Sequence, residues 1–383
     1  MKKTVDVSIP IGPVHPCFKE PARVKCETRG EYVLSAECEL GYMKKGIELI
    51  MRGRPWQEVM FLAERICGIC SVIHNMVFIE ALEKISDIPV PERGALLRVI
   101  VNELDRMQSH ILANFSYCYT IEHETLGMYL LDIRESAMDE LERITGARVT
   151  CAYIVPGGVR FDLRDEDAVH LRASLDIIER DMKRYIRMFE GGPLIALRSK
   201  DVGVLTKESA KEAHAVGPTA RASGMPETDM RLHHPTYQKL NFKPVFRTEG
   251  DNFARIMVRF EEIMQSIDLI RRCLDMLRPG PIRGGGIPSA GETVYRGEAP
   301  RGELSYYLKT DDAGRIVDIS VQTPSIMNIE ACTHYMLKGV ASLADVPSTF
   351  ISADPCIACT EDTEDHTSEI TSPNKKTFAV FSW

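Results

Sequence analysis

Apolar side chains return every three or four positions along one stretch, at Leu96, Leu97, Ile100, Leu104, Met107, Ile111 and Phe115, the period of a helix face. That spacing predicts a long helix over 92–118, and similar patterns predict helices over about 128–145, 166–189 and 252–277. Four long helices need one another to cover their apolar stripes, so together they predict a bundle. Ahead of them the period falls to two: Val24, Cys26 and Thr28 are answered across Arg29-Gly30 by Tyr32, Leu34 and Ala36, as in a hairpin. Residues 316–321 alternate like another strand, and 327–344 return to the helical period. Gly and Pro gather in 190–250 and 278–302, which read as loops. The expected fold class is α+β, mainly α: a long-helix bundle core over about 55–345 with small peripheral β-sheets, the first over about 5–45. No repeat, low-complexity tract or linker cuts the chain, so residues 1–359 are expected to form one domain.

Composition narrows the function. With 44% hydrophobic and 27% charged residues, the 383-residue chain has ample material for a buried interior. A net charge of -8 and a pI near 5.8 provide no basic stripe to neutralise phosphates, which argues against nucleic acid as a partner. Met1 to Pro10 contains no apolar signal segment, and no run of 18 apolar residues lacks charge, so neither secretion nor a membrane span is expected. Eleven cysteines are too sparse for a disulfide scaffold in a chain this long, which leaves thiolate chemistry or metal binding.

Four of those cysteines are paired. Cys67 and Cys70 lie in Arg65-Ile66-Cys67-Gly68-Ile69-Cys70, and Cys356 and Cys359 in Asp354-Pro355-Cys356-Ile357-Ala358-Cys359. Each spacing points two sulfurs to one side of a turn or helix start. Pro355 suits a first helical turn, and a helix N-terminus favours the thiolate. Four soft ligands select zinc, copper, nickel or iron over magnesium and calcium. One such pair alone fits a redox dithiol, and two fit a structural zinc site. Zinc ribbons keep their pairs close, however, whereas these lie near opposite ends, so a buried metal site would join the N- and C-terminal regions. Cys17, Cys26, Cys38, Cys118, Cys151, Cys273 and Cys332 are scattered and read as core fillers.

The two cysteine motifs, with His74 four residues after the first, resemble the signatures of the nickel-iron hydrogenase large-subunit family. Gly12-Pro13-Val14-His15-Pro16, Gly146-Ala147-Arg148, Pro156-Gly157-Gly158-Val159, Arg221-Ala222-Ser223-Gly224 and Ala299-Pro300-Arg301-Gly302-Glu303 are similar to landmarks of its energy-converting (group 4) branch. That branch is related to the quinone-site subunit of respiratory complex I, and the chain looks closest to its compact Ech-like type. The resemblance covers nearly the whole sequence. The paired cysteines are what separate hydrogenases from the complex I relatives.

The resemblance implies a nickel-iron centre: nickel held by four cysteines, two of which bridge to an iron carrying carbon monoxide and cyanide. Cys67 and Cys356 would be terminal ligands and Cys70 and Cys359 the bridges, with His74 bonded to a bridging sulfur. Arg301 matches the arginine above the open metal position, Asp354 would fix it, and Pro300 would shape the pocket. Glu20 matches the carboxylate that takes a proton from a terminal cysteine. Glu48 corresponds to a ligand of a second metal, magnesium or iron. The activity implied is reversible heterolytic H2 cleavage or H2 evolution.

No further cysteine cluster is evident, so no iron-sulfur cluster is expected in this chain. Electrons would pass through a small iron-sulfur subunit to or from ferredoxin. Integral-membrane subunits would couple the reaction to ion movement and hold the chain peripherally on the cytoplasmic face. The competing reading is a non-catalytic, complex I-like structural subunit with a four-cysteine zinc site. Two departures from the family pattern stand out. Around Ser109-His110 the family's second pocket carboxylate is missing, with His110 the expected substitute; and Cys359 is followed by Thr360-Glu361-Asp362 rather than a cleavage signal. Residues 360–383 thus read as a C-terminal tail, a candidate maturation extension.

Overall fold

The protein is described by a computed structural model over residues 6–43 and 45–360; beyond Thr360, the expected tail lies outside the described residues. It opens with an antiparallel sheet of β1 (Asp6–Ile11), β2 (Arg23–Arg29) and β3 (Tyr32–Glu39), in that order. Val24, Cys26 and Thr28 face inward from β2, as the alternation requires. The chain then enters α1 (Ile47–Met51), α2 (Trp56–Glu64), α3 (Ser71–Ser86), α4 (Glu92–Thr120) and α5 (Glu124–Thr145). After the small hairpin of β4 (Ile154–Val155) and β5 (Gly158–Val159) comes α6 (Asp165–Gly191). Leu171, Leu175, Ile178, Met182, Tyr185 and Phe189 form its buried stripe, and Asp165, Glu166 and Asp167 place negative charge at its N-terminus.

The segment 190–250 is more structured than its Gly and Pro content suggests. It holds α7 (Pro193–Ser199), α8 (Lys207–Glu212), α9 (Gly217–Arg221) and α10 (Pro235–Lys239), each too short to display a helical period. The long helix α11 (Asn252–Met276) follows, its N-terminus capped by Asp251 accepting from Ala254 N at 2.7 Å. Where 278–302 read as a loop, its second part is a strand, in the antiparallel sheet β6 (Gly291–Ala299), β7 (Gly302–Thr310) and β8 (Ile316–Gln322). The helical reading of 327–344 is also corrected. Helix α12 (Pro324–Ala331) passes into a π-helical turn at Cys332–Met336, after which the backbone pairs with β3 through Val33 N to Val340 O at 3.0 Å. The last helix is α13 (Asp345–Ser352).

Helix α4 is the axis, packed against α5, α11 and α13. Its apolar face is the expected one, yet its polar residues are buried too. They are tolerated because they are bonded. Arg98 donates to Val155 O at 2.9 Å and Gly158 O at 3.0 Å, and Ser266 of α11 donates to Glu103 at 2.6 Å. The fold is α+β and mainly α, with a buried group of cysteines and a histidine joining its two ends.

Candidate metal centre

Helix α2 stops at Glu64, whose buried carboxylate accepts from Ala152 N at 2.7 and 2.9 Å. The chain then turns through Arg65–Ile69, and Cys70 caps α3. The Gln108 amide on α4 donates to Ile69 O and, at 3.0 Å, to Asp105. This holds the turn so that Cys67 Sγ accepts from Ile69 N at 3.4 Å and Cys70 N at 3.2 Å. At the other end, Asp354 takes left-handed φ (53°) just after α13 and reverses the chain. Cys356 N donates to Ser325 Oγ at 2.9 Å, and Thr323 Oγ1 to Cys359 O at 2.9 Å. Lys45 links both turns, reaching Ile66 O at 2.8 Å and Ala358 O at 3.4 Å.

Four buried sulfurs therefore converge from the two ends of the chain, with Cys67 to Cys70 at 3.0 Å, Cys356 to Cys359 at 2.9 Å and Cys67 to Cys356, 289 positions apart, at 3.7 Å. All are free thiols. Cys67 is held well below the usual thiol range because Cys356, Cys359 and Cys70 donate towards it, and the bonds that hold their protons push Cys70 and Cys359 up. Four converging, desolvated sulfurs are the donors a soft cation takes once their protons are lost. The donor set fits nickel in that sense, and by itself it fits zinc as well.

A ring nitrogen of His74, on α3, lies within 4.8 Å of the Cys67 and Cys70 sulfurs. Its Nδ1 is 2.8 Å from the Tyr306 hydroxyl. Arg301 and the buried Pro300 form the tight turn between β6 and β7, where Ala299 pairs with Gly302. Asn328 Nδ2 holds the Arg301 carbonyl at 3.1 Å, and a Cβ on Gly217 would stand 2.2 Å from that same oxygen, so only glycine fits there. From this turn the guanidinium reaches Asp354 O at 2.9 Å, Asp354 Oδ1 at 3.3 Å, Ser109 Oγ at 3.3 Å and Cys70 Sγ at 3.7 Å. Burial alone would raise Asp354, but Arg301, Lys19 and Arg259 overcome it and hold the carboxyl down at about 2.

Lys19 Nζ bonds Asp354 Oδ1 at 2.7 Å, and Glu20 Oε2 accepts from Ala358 N at 2.7 Å, so both expected and unexpected residues of one loop meet the C-terminal cysteine turn. Glu48 sits apart. Its Oε1 accepts from Val321 N at 2.8 Å, and among the described residues it joins no group of three converging ligands. His110 does not substitute for the pocket carboxylate: it faces away to Glu262 at 2.9 Å, and burial pushes it down to about 4. Ser109 is the residue that touches Arg301. An acid does lie one turn earlier, Asp105, pushed up to about 8 by burial. Lys19, Lys45, Ser109, Gln108 and Tyr306 were not singled out from sequence, although Lys19 stands beside Glu20 in the same motif.

A helical core that buries two cysteine pairs from both ends of the chain beside an arginine turn has the donor set to hold a soft metal. Comparison with known proteins agrees. The chain matches the family described as nickel-dependent hydrogenase over residues 45–118, and respiratory-chain NADH dehydrogenase, 49 Kd subunit, over 121–285 and 282–362. It is 35% identical over 359 residues to the carbon monoxide-induced hydrogenase of Rhodospirillum rubrum, covering 92% of this chain and 99% of that one. It is also 35% identical over 381 residues to the alpha subunit of the membrane-bound hydrogenase of Pyrococcus furiosus, covering 93% and 87%. Among solved structures, a chain of the membrane-bound sulfane sulfur reductase, an archaeal respiratory membrane complex, superposes with a TM-score of 0.86 at 27% identity, covering 94% of this chain and 99% of that one. The chain belongs to the nickel-iron hydrogenase large-subunit family, in the energy-converting branch related to the 49 kDa subunit of respiratory NADH dehydrogenase. Among the described residues no helix is long and apolar enough to cross a membrane.

Proposed function

We propose that this chain is the catalytic large subunit of a hydrogenase that splits or evolves H2 reversibly. The observation that carries the reading is the set of four buried, converging cysteine sulfurs, one of which, Cys70, lies 3.7 Å from the Arg301 guanidinium. Cys67, Cys70, Cys356 and Cys359 would hold a nickel-iron centre, with carbon monoxide and cyanide on the iron. That group, when bound, supplies the open metal position at which H2 is polarised. The chain's own residues do the rest. Arg301 places a permanent positive charge, which cannot lose its proton, beside the sulfurs. Asp354 and the turn at Pro300 orient it. Glu20 takes up a proton from the Cys356 side, since its carboxylate already rests on the Cys356–Cys359 turn. We assign the Glu48 position to a second metal, magnesium or iron, only as the resemblance implies it.

Electrons are assigned to a small iron-sulfur partner subunit and from there to ferredoxin, because the cysteines that converge here are all committed to one centre. Relatives that are subunits of membrane complexes support integral-membrane partners and a peripheral place on the membrane; the cytoplasmic face is assigned from the family resemblance. Hydrogen/deuterium exchange by the purified complex, measured together with nickel content, tests the reading. Exchange with nickel present is expected; a stable complex that carries zinc and exchanges nothing would establish the structural alternative.

A further inference from the structure

Arg301 is anchored unevenly. One nitrogen, Nη1, meets the Ser109 hydroxyl at 3.3 Å and the Cys70 sulfur at 3.7 Å, while its Nε and Nη2 contacts go to Asp354. A neutral hydroxyl is a weaker anchor for a guanidinium than a carboxylate. The aim of the fork therefore depends on Asp354, and on whatever fixes Asp354.

What fixes it comes from the other end of the chain, 335 positions away, where Lys19 Nζ takes Oδ1 at 2.7 Å. Arg301 Nη2 reaches that oxygen only at 3.3 Å and is left with Oδ2 and the main-chain carbonyl for its Nε. The lysine is itself well placed. Its loop is closed by Ala22 N to Pro13 O at 3.1 Å and Phe18 N to His15 O at 2.9 Å, and the Phe18 ring packs 5.0 Å from Phe350 on α13, the helix that leads into Asp354. Three cations, Arg301, Lys19 and Arg259, surround this one carboxylate. Lys19 and Arg301 repel each other, so the arrangement is not explained by simple charge cancellation. It divides the carboxylate between them.

We propose that Lys19 is a positioning residue for Arg301: by holding Oδ1 of Asp354 at 2.7 Å it keeps that oxygen from being drawn closer to Arg301 Nη2 and so keeps Nη1 aimed at the Cys70 sulfur. The inference rests on the hydrogenase reading of the site. Without the ammonium, Oδ1 of Asp354, already 3.3 Å from Nη2, closes onto the guanidinium and draws Nη1 away from Cys70 and Ser109.

Lys19→Met and Lys19→Arg in the purified complex test this. The methionine variant should keep its nickel, lose about 10- to 100-fold in hydrogen/deuterium exchange, the usual cost of removing an outer support of a metal site, and show shifted carbon monoxide and cyanide infrared bands. The arginine variant, which keeps charge and donor, should recover most of both. In an Arg301→Lys background, Lys19→Met should add no more than about threefold, because the group it positions is gone. Near-normal exchange with unshifted bands in Lys19→Met overturns the proposal. So does its full loss repeated in the Arg301→Lys background, or loss of nickel from both Lys19 variants. A wild-type complex without exchange overturns the hydrogenase reading and this inference with it; an active wild type with an indifferent Lys19→Met overturns the inference alone.

Discussion

The Nε of Arg301 lies 2.9 Å from the main-chain oxygen of Asp354 and 3.1 Å from one of its carboxylate oxygens, joining the turn between β6 and β7 to the start of the C-terminal cysteine turn. A planar fork can hold these contacts while still facing Ser109 and Cys70. A single ammonium cannot. Arg301→Lys should therefore retain nickel and iron but lose about 10²- to 10³-fold in turnover, the scale seen when one aimed donor is removed from an active site. Metal analysis beside H2 uptake checks it; loss of the metals would make the arginine structural.

Each of Cys67→Ser, Cys70→Ser, Cys356→Ser and Cys359→Ser should abolish both nickel retention and H2 uptake, because a hydroxyl is a poor ligand for a soft metal. Cys151→Ser is the control. Its thiol is buried and lies near the carbonyl oxygens of Ala147 and Val149, away from the four sulfurs, and nickel content should be unchanged. Wild-type activity in any of the four, or nickel loss in the control, contradicts the assignment.

Glu20→Gln separates proton transfer from structure. The amide oxygen can still accept from Ala358 N, so the cysteine turn stays in place, but an amide cannot serve as a proton acceptor and donor in the relay. Exchange and uptake should fall by about 10²- to 10⁴-fold while metal content persists. Near-normal isotope exchange in the variant would move the relay to another group.

Asp105 gives a pH signature. Burial raises its carboxyl to about 8 in the folded chain, whereas an unfolded aspartate titrates near 3.8. Between those values the folded state holds the extra proton, so this group's contribution to stability is complete below the unfolded value and is lost as pH rises towards the folded one. Asp105→Asn cannot ionise. Its thermal midpoint should decline less than the wild type's between about pH 5 and about pH 8, although Glu64, raised to about 7, leaves some slope in both. Parallel curves for the two proteins would mean that Asp105 is ionised in the folded state.

What was legible in the sequence follows the range of the interactions. The cysteine turns and the long helices α4, α5, α6 and α11 are written in spacings of three and four, so they could be read locally. The hairpin of β2 and β3 could be read from its alternation. Short helices α7 to α10 leave no period to detect, and strand β6 was hidden because Gly291 and Gly297 fall within it and resemble loop residues. At the centre itself, the ligand candidates were visible while their supports were not. Lys19 meets Asp354 across 335 positions and Ser109 meets Arg301 across 192, and neither contact leaves a mark in local pattern. His110 shows the converse error. Adjacent to Ser109 on α4, it points to Glu262 on α11 because successive residues on a helix face different directions.

The central claim, that Cys67, Cys70, Cys356 and Cys359 hold a nickel-iron centre, is tested most directly by infrared spectroscopy of the purified complex. Carbon monoxide and cyanide stretches fall in a window where protein itself is silent. Those bands are expected in the wild-type complex, together with nickel, and should disappear in Cys359→Ser. A complex with all four cysteines intact, stoichiometric zinc and no bands would contradict the claim.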